Sequence, residues 1–284
     1  MAETKEKNGG LFILLAAFLW SLSGIFTKSL AWNGLCLATL RGVIAFLVAL
    51  IIIHGRKIEL NRTKVLCGIC CFVQGTLFMC ANKYTTAGNA TVLQNTSPLF
   101  IILMNAVFNN KRPSKREITI CVILFIGVGL AFAGSLGGGA WLGNILAMLS
   151  AVFYAGVYFL SKQEGADPVE SLVIGNAFYL LLIPLLVTDP VVRSTTPQQW
   201  LFLIAVGTVT GIGAWLCFSI GIRYTSALQA GFIALLEPVM APIWTFIFLG
   251  ERISPLSLTG IVIVILTLLG YNIGLSHRAV RTDS

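Results

Sequence analysis

Charge is what this chain has least of. Of its 284 residues, 11% are charged and 57% are hydrophobic, whereas a soluble domain carries about 25% charged residues. The charges also cluster, leaving apolar runs of about 20 residues, the length that crosses a hydrocarbon layer of about 30 Å as a helix. This excludes a soluble globular fold, which has no way to cover so much apolar surface. Histidine is scarcer still. His54 and His277 both fall near the ends of expected helices, so no histidine-based catalytic set can assemble at depth. No GxxxxGK[ST] loop occurs, which leaves nucleoside-triphosphate hydrolysis by this chain without support. An enzyme is therefore not expected, nor is a cofactor or a metal site. Cys67, Cys70 and Cys71 have a CxxC look, but no histidine or carboxylate lies near them in sequence. Cysteines in apolar helices act as small apolar residues. The net charge of +8 is distributed as membrane topology would have it and argues against a nucleic-acid partner.

What is present in abundance is hydropathy. Apolar segments lie at about residues 10–31, 33–54, 64–83, 87–109, 117–135, 140–161, 170–190, 198–221, 226–249 and 254–276. The fold expected is an all-α integral membrane protein of ten transmembrane helices, multi-pass in the cell membrane. The first run, Leu11 to Leu30, is too long for a signal-peptide core and lacks a small-residue cleavage site, so it reads as a retained helix. With the N-terminus inside, cytoplasmic segments collect most of the 19 basic residues, among them Arg62, Lys64, Lys115, Arg116, Lys162 and Arg278. The outer loops keep Lys83, Arg193 and Arg252. By the positive-inside rule both termini are then cytoplasmic.

The sequence also repeats itself. Tyr84, Thr85, Ala87, Ala90 and Pro98 recur in one register as Tyr224, Thr225, Ala227, Ala230 and Pro238, and the register continues to Phe108/Phe248, Arg112/Arg252 and Ser114/Ser254. Upstream, AFLWSLSGIFTK (17–28) faces AVFYAGVYFLSK (151–162), with Trp20 opposite Tyr154 and Lys28 opposite Lys162. Five helices per half is an odd number, so the second half starts from the other side of the membrane and the two are inverted. The expected organisation is a cytoplasmic tail (1–9), a first five-helix repeat (10–135), a second (140–276) and a cytoplasmic tail (277–284). Inverted repeats recur in secondary transporters, with the substrate near the midplane at the repeat interface.

Polar residues at bilayer depth are costly and mark functional positions or interhelical bonds. Glu237 is the clearest, in the middle of the ninth segment beside Pro238 and near Pro242. It reads either as a substrate or proton site or as a group holding the kink that the prolines make. Its repeat-mate is Ser97, beside Pro98; Gln94 and Ser97 form a polar stripe on the fourth helix, and Gln74, one turn from Phe78, is central in the third. Trp20, Tyr154, Tyr158 and Trp215 lie away from the interfaces where belt aromatics belong. Together these nine residues are the candidate lining of a cavity for an amphipathic organic substrate, with helix packing as the alternative for each. Arg41 reads as a residue snorkelling to an interface, Lys28 as an interface anchor, and Glu251 as offsetting the charge of Arg252. Glycines such as Gly127, Gly129, Gly207 and Gly211 read as packing devices.

The stretch ALLEPVMAPIWTFIFLGERISPLSLTG (234–260) resembles the second-repeat signature of the EamA-type transporters of the drug/metabolite transporter superfamily, and NTSPLFIILMNAVFNNKRPSKRE (95–117) resembles its first-repeat counterpart. The first copy departs from the pattern: Gly-Glu-Arg at 250–252 is replaced by Asn110-Lys111-Arg112. The resemblance covers nearly the whole chain. It implies an alternating-access secondary transporter, often an exporter of amino acids or related metabolites, with a central cavity between the halves. The partners expected are a small-molecule substrate, the lipid bilayer and a proton as coupling ion, in a monomer or homodimer. Low intramembrane charge favours an amino acid or similar amphipathic cargo. The alternatives are a small organic cation, held by the aromatics and Glu237, and a non-transporting receptor or assembly subunit.

Overall fold

The computed structural model describes residues 2–53, 58–110, 112–134, 140–221, 224, 233 and 236–282, without the side chains of 2–8, 52, 219 and 271–282. Among the described residues all regular structure is helical. Eight helices among them are long and apolar enough to cross a membrane: α1 (Gly9–Lys28), α2 (Gly34–Ile51), α3 (Arg62–Tyr84), α4 (Ala87–Phe108), α5 (Lys115–Ala133), α6 (Trp141–Leu160), α7 (Pro168–Thr188) and α8 (Pro197–Phe218), counted over the described residues. Two shorter apolar helices follow, α9 (Leu236–Leu249) and α10 (Pro255–Gly270). Each falls on one of the ten hydropathy segments. The first part of the ninth segment (226–232, 234 and 235) lies outside the described residues, as do His54, Lys111, Arg223, Thr225, Ala227 and Ala230, and likewise the side chain of His277. The first helix begins at Ala2 and the last runs on to Thr282, so helix extends into both segments expected as polar tails.

The short polar breaks between apolar runs supply the caps that start the helices. Asn33, Asn61 and Thr86 each accept a hydrogen bond from the backbone N–H three residues on, and Asp167 accepts two at the start of α7. Ser114 with Glu117 and Thr196 with Gln199 form full capping boxes at α5 and α8. Each cap satisfies backbone donors that the first turn leaves unpaired.

Helix pairings come in mates. The long contact of α3 along α6 has its counterpart in α8 along α1; α3 against α7 matches α8 against α2; α4 against α6 matches α9 against α1. The pair α5–α10 stands to one side. There Gly260 lies so close to α5 that a side chain would strike the Gly127 and Ala131 backbone, and Ser257 donates to the Ala131 carbonyl at 2.9 Å. Two apolar cores flank α3: Phe78 belongs to one with Leu93, Leu99, Leu124 and Val264, and Met79 to the other with Trp32, Leu37, Leu203 and Val206. The outer faces carry exposed Leu47, Val107, Phe125, Leu181 and Phe246. A coat of this kind suits lipid and not water.

Several helices are interrupted. α1 breaks at Leu22, α7 tightens to a 3-10 turn at Phe178–Leu182, and α8 widens to a π-helix over Val206–Gly213. α4 divides into Ala87–Gln94 and Ser97–Phe108, because Pro98 has no N–H to return to the preceding turn. Around the break Asn95 donates to the Thr91 carbonyl at 2.9 Å and Thr96 to the Leu93 carbonyl at 2.6 Å. Side chains thus replace backbone donors where water has no access. Pro238 and Pro242 both lie within α9, where the Thr245 hydroxyl bonds to the Ala241 and Pro242 carbonyls.

Candidate functional site

Seven helices converge on one cavity. α1 contributes Trp20 and Ser23, α2 Arg41, α3 Gln74 and Phe78, α4 Gln94 and Asn95, α6 Tyr154, α8 Thr210 and Trp215, and α9 Glu237; between them lies a cavity of about 40 Å³. That is far below the range of sites for small organic ligands, about 300–1,000 Å³, so the cavity is nearly closed in this conformation. An adjoining cavity of about 50 Å³ shares Arg41, Gln74, Tyr154 and Trp215 and extends to Asn176 and Tyr179. Of the nine expected lining residues, Trp20, Gln74, Phe78, Gln94, Tyr154, Trp215 and Glu237 are brought together here.

The walls differ in chemistry. Trp20 and Trp215 meet edge to face at 5.6 Å, and Phe218 lies 5.6 Å from Trp20 and 6.1 Å from Trp215. The opposing polar wall is a network across α3, α4 and α6. The Gln94 amide donates to the Ser150 hydroxyl at 2.7 Å and, more weakly, to Gln74 at 3.4 Å, and Ser150 donates to the Gln74 carbonyl at 3.0 Å. Gln94 is thus both a lining residue and an interhelical bond. Arg41 and Glu237 are half-buried on the same cavity, and among the described residues neither forms a hydrogen bond or ion pair. Charges left so at depth call for water or a ligand with complementary charge.

Two expected residues lie elsewhere. Ser97 is buried at the start of the second segment of α4, off the cavity wall, and Asn95 takes the place expected of it. The break before Pro98 interrupts the helical face that links Gln94 to Ser97. Tyr158 donates to the Tyr154 hydroxyl at 3.2 Å but lines a wider vestibule of about 870 Å³, with Asn105, Asn109, Arg112, Glu117 and Lys162. The two tyrosines connect the central cavity to this vestibule. It lies at the basic end of the bundle, to which α4 and α6 deliver their C-termini and α5 its N-terminus.

The other end is tied shut. Lys28 lies 2.6 Å from a Glu251 carboxylate oxygen and donates to the Thr85 carbonyl at 2.8 Å. The second Glu251 oxygen accepts the Ala87 N–H at 3.0 Å, and Lys83 donates to the Leu30 carbonyl at 2.5 Å. One cluster therefore joins α1, the α3–α4 turn and the α9–α10 turn. Lys28 is a structural partner here and no interface anchor, and the Glu251 carboxylate is held by Lys28, not by the neighbouring Arg252. The reading of Arg41 as snorkelling also changes, since its side chain lines both cavities. Its sequence signal was an arginine inside an apolar run. Ser23, Asn95 and Thr210 gave no such signal.

A family model described as the EamA-like transporter family matches the sequence twice, over residues 7–133 and 141–273. An uncharacterized transporter of Clostridium kluyveri is 27% identical, over 92% of this chain and 91% of its own. The pseudopaline exporter CntI of Pseudomonas aeruginosa is 23% identical, over 91% of this chain and 94% of its own. A probable amino-acid metabolite efflux pump of Escherichia coli is 26% identical, over 98% of this chain and 100% of its own. One solved crystal structure superposes with a TM-score of 0.63, covering 98% of this chain and 100% of that one at 20% identity, which speaks to the fold alone.

Proposed function

The chain belongs to the EamA-like transporter family, as a multi-pass membrane transporter and not an enzyme, and from that premise we propose that it exports a zwitterionic amino acid or close relative by alternating access. The observation that carries the cargo is the pairing of Arg41 and Glu237 on a cavity walled by Trp20 and Trp215. A guanidinium suits a carboxylate, Glu237 suits an ammonium, and the indoles suit an aliphatic or aromatic side chain. Arg41 favours this zwitterion over a bare organic cation, which would leave the guanidinium without a counter-charge. The relatives described as exporter and efflux pump support the outward direction.

The mechanism follows from a five-plus-five inverted repeat with both termini in the cytoplasm. The double family match and the mated helix pairings support that organisation. In it, the Lys28–Glu251 cluster is the closed extracellular gate and the basic vestibule is the open cytoplasmic entrance. Substrate enters past Tyr158, meets Arg41 and Glu237, and leaves once the first gate opens and the second closes. Glu237 is also the candidate for proton coupling, because a carboxylate that alternates between substrate and proton links the two fluxes.

The test is exchange of labelled solutes in proteoliposomes across a panel of amino acids, their amides and organic cations, with and without an imposed pH gradient. Amino acids should exchange, and Arg41→Gln and Glu237→Gln should each lower apparent affinity at least about tenfold, the worth of one charge-assisted contact. A protein that moves no solute in the panel defeats the transport reading. One that moves cations alone, with Arg41→Gln equal to the parent, defeats the zwitterion. Indifference to the pH gradient removes the proton.

A further inference from the structure

The last two helices are neighbours in sequence and not in packing. Among the described residues α9 lies on α1 and α4, α10 lies on α5, and neither packs along the other. Gly250, at φ +65°, turns the chain between them. The space they leave is a groove of about 710 Å³. Val239, Ile243 and Phe246 line it from α9, and Leu258, Val262 and Leu266 from α10. Spacings of three and four residues put each set on one face of its helix, and all six are exposed. The repeat register sharpens the point. Ile102, Arg112 and Pro113 of the vestibule are the mates of Pro242, Arg252 and Ile253 of the groove. The vestibule adds Asn105, Asn109, Glu117 and Lys162 to its wall, where the groove adds apolar side chains. One cleft suits water and the other hydrocarbon.

One end of the groove is charged, where Glu251 and Arg252 line it. The Glu251 oxygens are taken by Lys28 at 2.6 Å and by the Ala87 N–H at 3.0 Å. Arg252 is exposed, and among the described residues no acid pairs with it. Lys28 and Glu251 offset each other, so this end presents the charge of the guanidinium. We propose that the groove binds an anionic phospholipid, with one acyl chain between α9 and α10 and the phosphate on Arg252. A guanidinium fork matches two phosphate oxygens, and a cation beside a membrane span draws anionic headgroups. The lengths agree. From Pro238 to Leu249 α9 rises about 16 Å, and one leaflet supplies half of a hydrocarbon layer about 30 Å thick. An exposed face such as Val122 and Phe125 on α5 meets lipid without enclosing it; the groove has two walls and a charged end. The bound lipid joins two helices that the chain leaves apart, next to the turn that holds Lys28. This inference needs only that the chain lies in a membrane, whatever its cargo and whichever side each end faces.

The test titrates the full-length protein in detergent with phosphatidylglycerol or phosphatidylcholine, each carrying a photoreactive acyl chain, and reads the adducts by peptide mass. Phosphatidylglycerol should mark α9 from Val239 to Phe246 and α10 from Leu258 to Leu266. It should do so at about tenfold lower concentration than phosphatidylcholine, the worth of one charge-assisted contact. Arg252→Gln should remove that preference, and Arg252→Lys should keep part of it. Lys115→Gln, at an exposed cation of the opposite end, should match the parent. Phosphatidylglycerol should also raise the melting temperature of the parent more than that of the Arg252→Gln protein. Leu258→Trp, which fills the groove, should abolish the adducts of both lipids. Equal marking by the two lipids, an Arg252→Gln protein that keeps the preference, or adducts spread evenly over α5 and α7 overturns the inference and leaves an ordinary lipid coat. A dimer in lipid-free detergent that Leu258→Trp converts to monomer also overturns it and assigns the groove to a second copy.

Discussion

The end of the bundle around Lys28 and the end around Lys162 are made of related sequence and hold opposite chemistries. At the first, Lys28 binds Glu251, 223 residues on in sequence, and the Thr85 carbonyl, while Lys83 binds the Leu30 carbonyl. At the second, basic side chains line an open vestibule. The two turns share Arg112/Arg252 and Ser114/Ser254 and differ at Asn110/Gly250, Lys111/Glu251 and Pro113/Ile253, of which Lys111/Glu251 alone reverses a charge. Related sequence thus need not give two ends of equal chemistry, since a sign change in one turn alters the charge that end presents.

The contrast can be broken most severely through backbone packing at the closed end. A Cβ on Gly143 would lie within 2.6 Å of the Tyr84 and Thr85 backbone, which cannot yield as a side chain can. Gly143→Val should therefore cost about 3 kcal/mol, read as a fall in melting temperature and in monodisperse yield in detergent. The ion pair comes next. Its side chains are 21% and 14% exposed, so it ranks between a surface pair and a fully buried one, and Glu251→Gln should cost about 2 kcal/mol. The charge-swapped double variant Lys28→Glu with Glu251→Lys should recover part of that in a thermal melt, and no recovery would show that the lysine serves only the Thr85 carbonyl. At the basic end, Gly165 holds φ at +71° in the α6–α7 loop, where Asn61 donates to its carbonyl at 2.7 Å. Gly165→Ala should cost about 1 kcal/mol in the same melt. Last, Arg112→Gln and Lys162→Gln should leave stability within about 0.5 kcal/mol of the parent. A larger loss at either would mean that the vestibule cations are structural after all.

Most of the architecture was legible in the chain because lipid imposes a simple rule: an apolar run of a given length becomes a helix. The breaks were legible too where a proline caused them, as at Pro98. What hydropathy cannot supply is the direction in which a side chain points around its helix. Trp20, Gln74 and Glu237 were found because a polar or bulky group at mid-depth is conspicuous in any direction. Arg41 was conspicuous as well, but its depth alone suited an outward snorkel, and only the packing of α2 against α8 turns it inward. Ser97 was selected through its repeat-mate and lies off the wall, because the interruption at Asn95 and Thr96 separates it from the face that carries Gln94. Lys28 and Glu251 could not be paired from sequence, since nothing local connects residues so far apart.

The wide turn of α8 at Val206–Gly213 carries one further implication. A π-helical stretch stores one residue more than an α-helix of the same rise, and that surplus can be moved along the helix or released. Each residue corresponds to a rotation of about 100° about the axis. Releasing it would swing Thr210 and Trp215 off the cavity wall while leaving Trp200 and its partner Trp32 where they are. The shape of the cavity wall at Thr210 and Trp215 is thus tied to one surplus residue in the middle of α8.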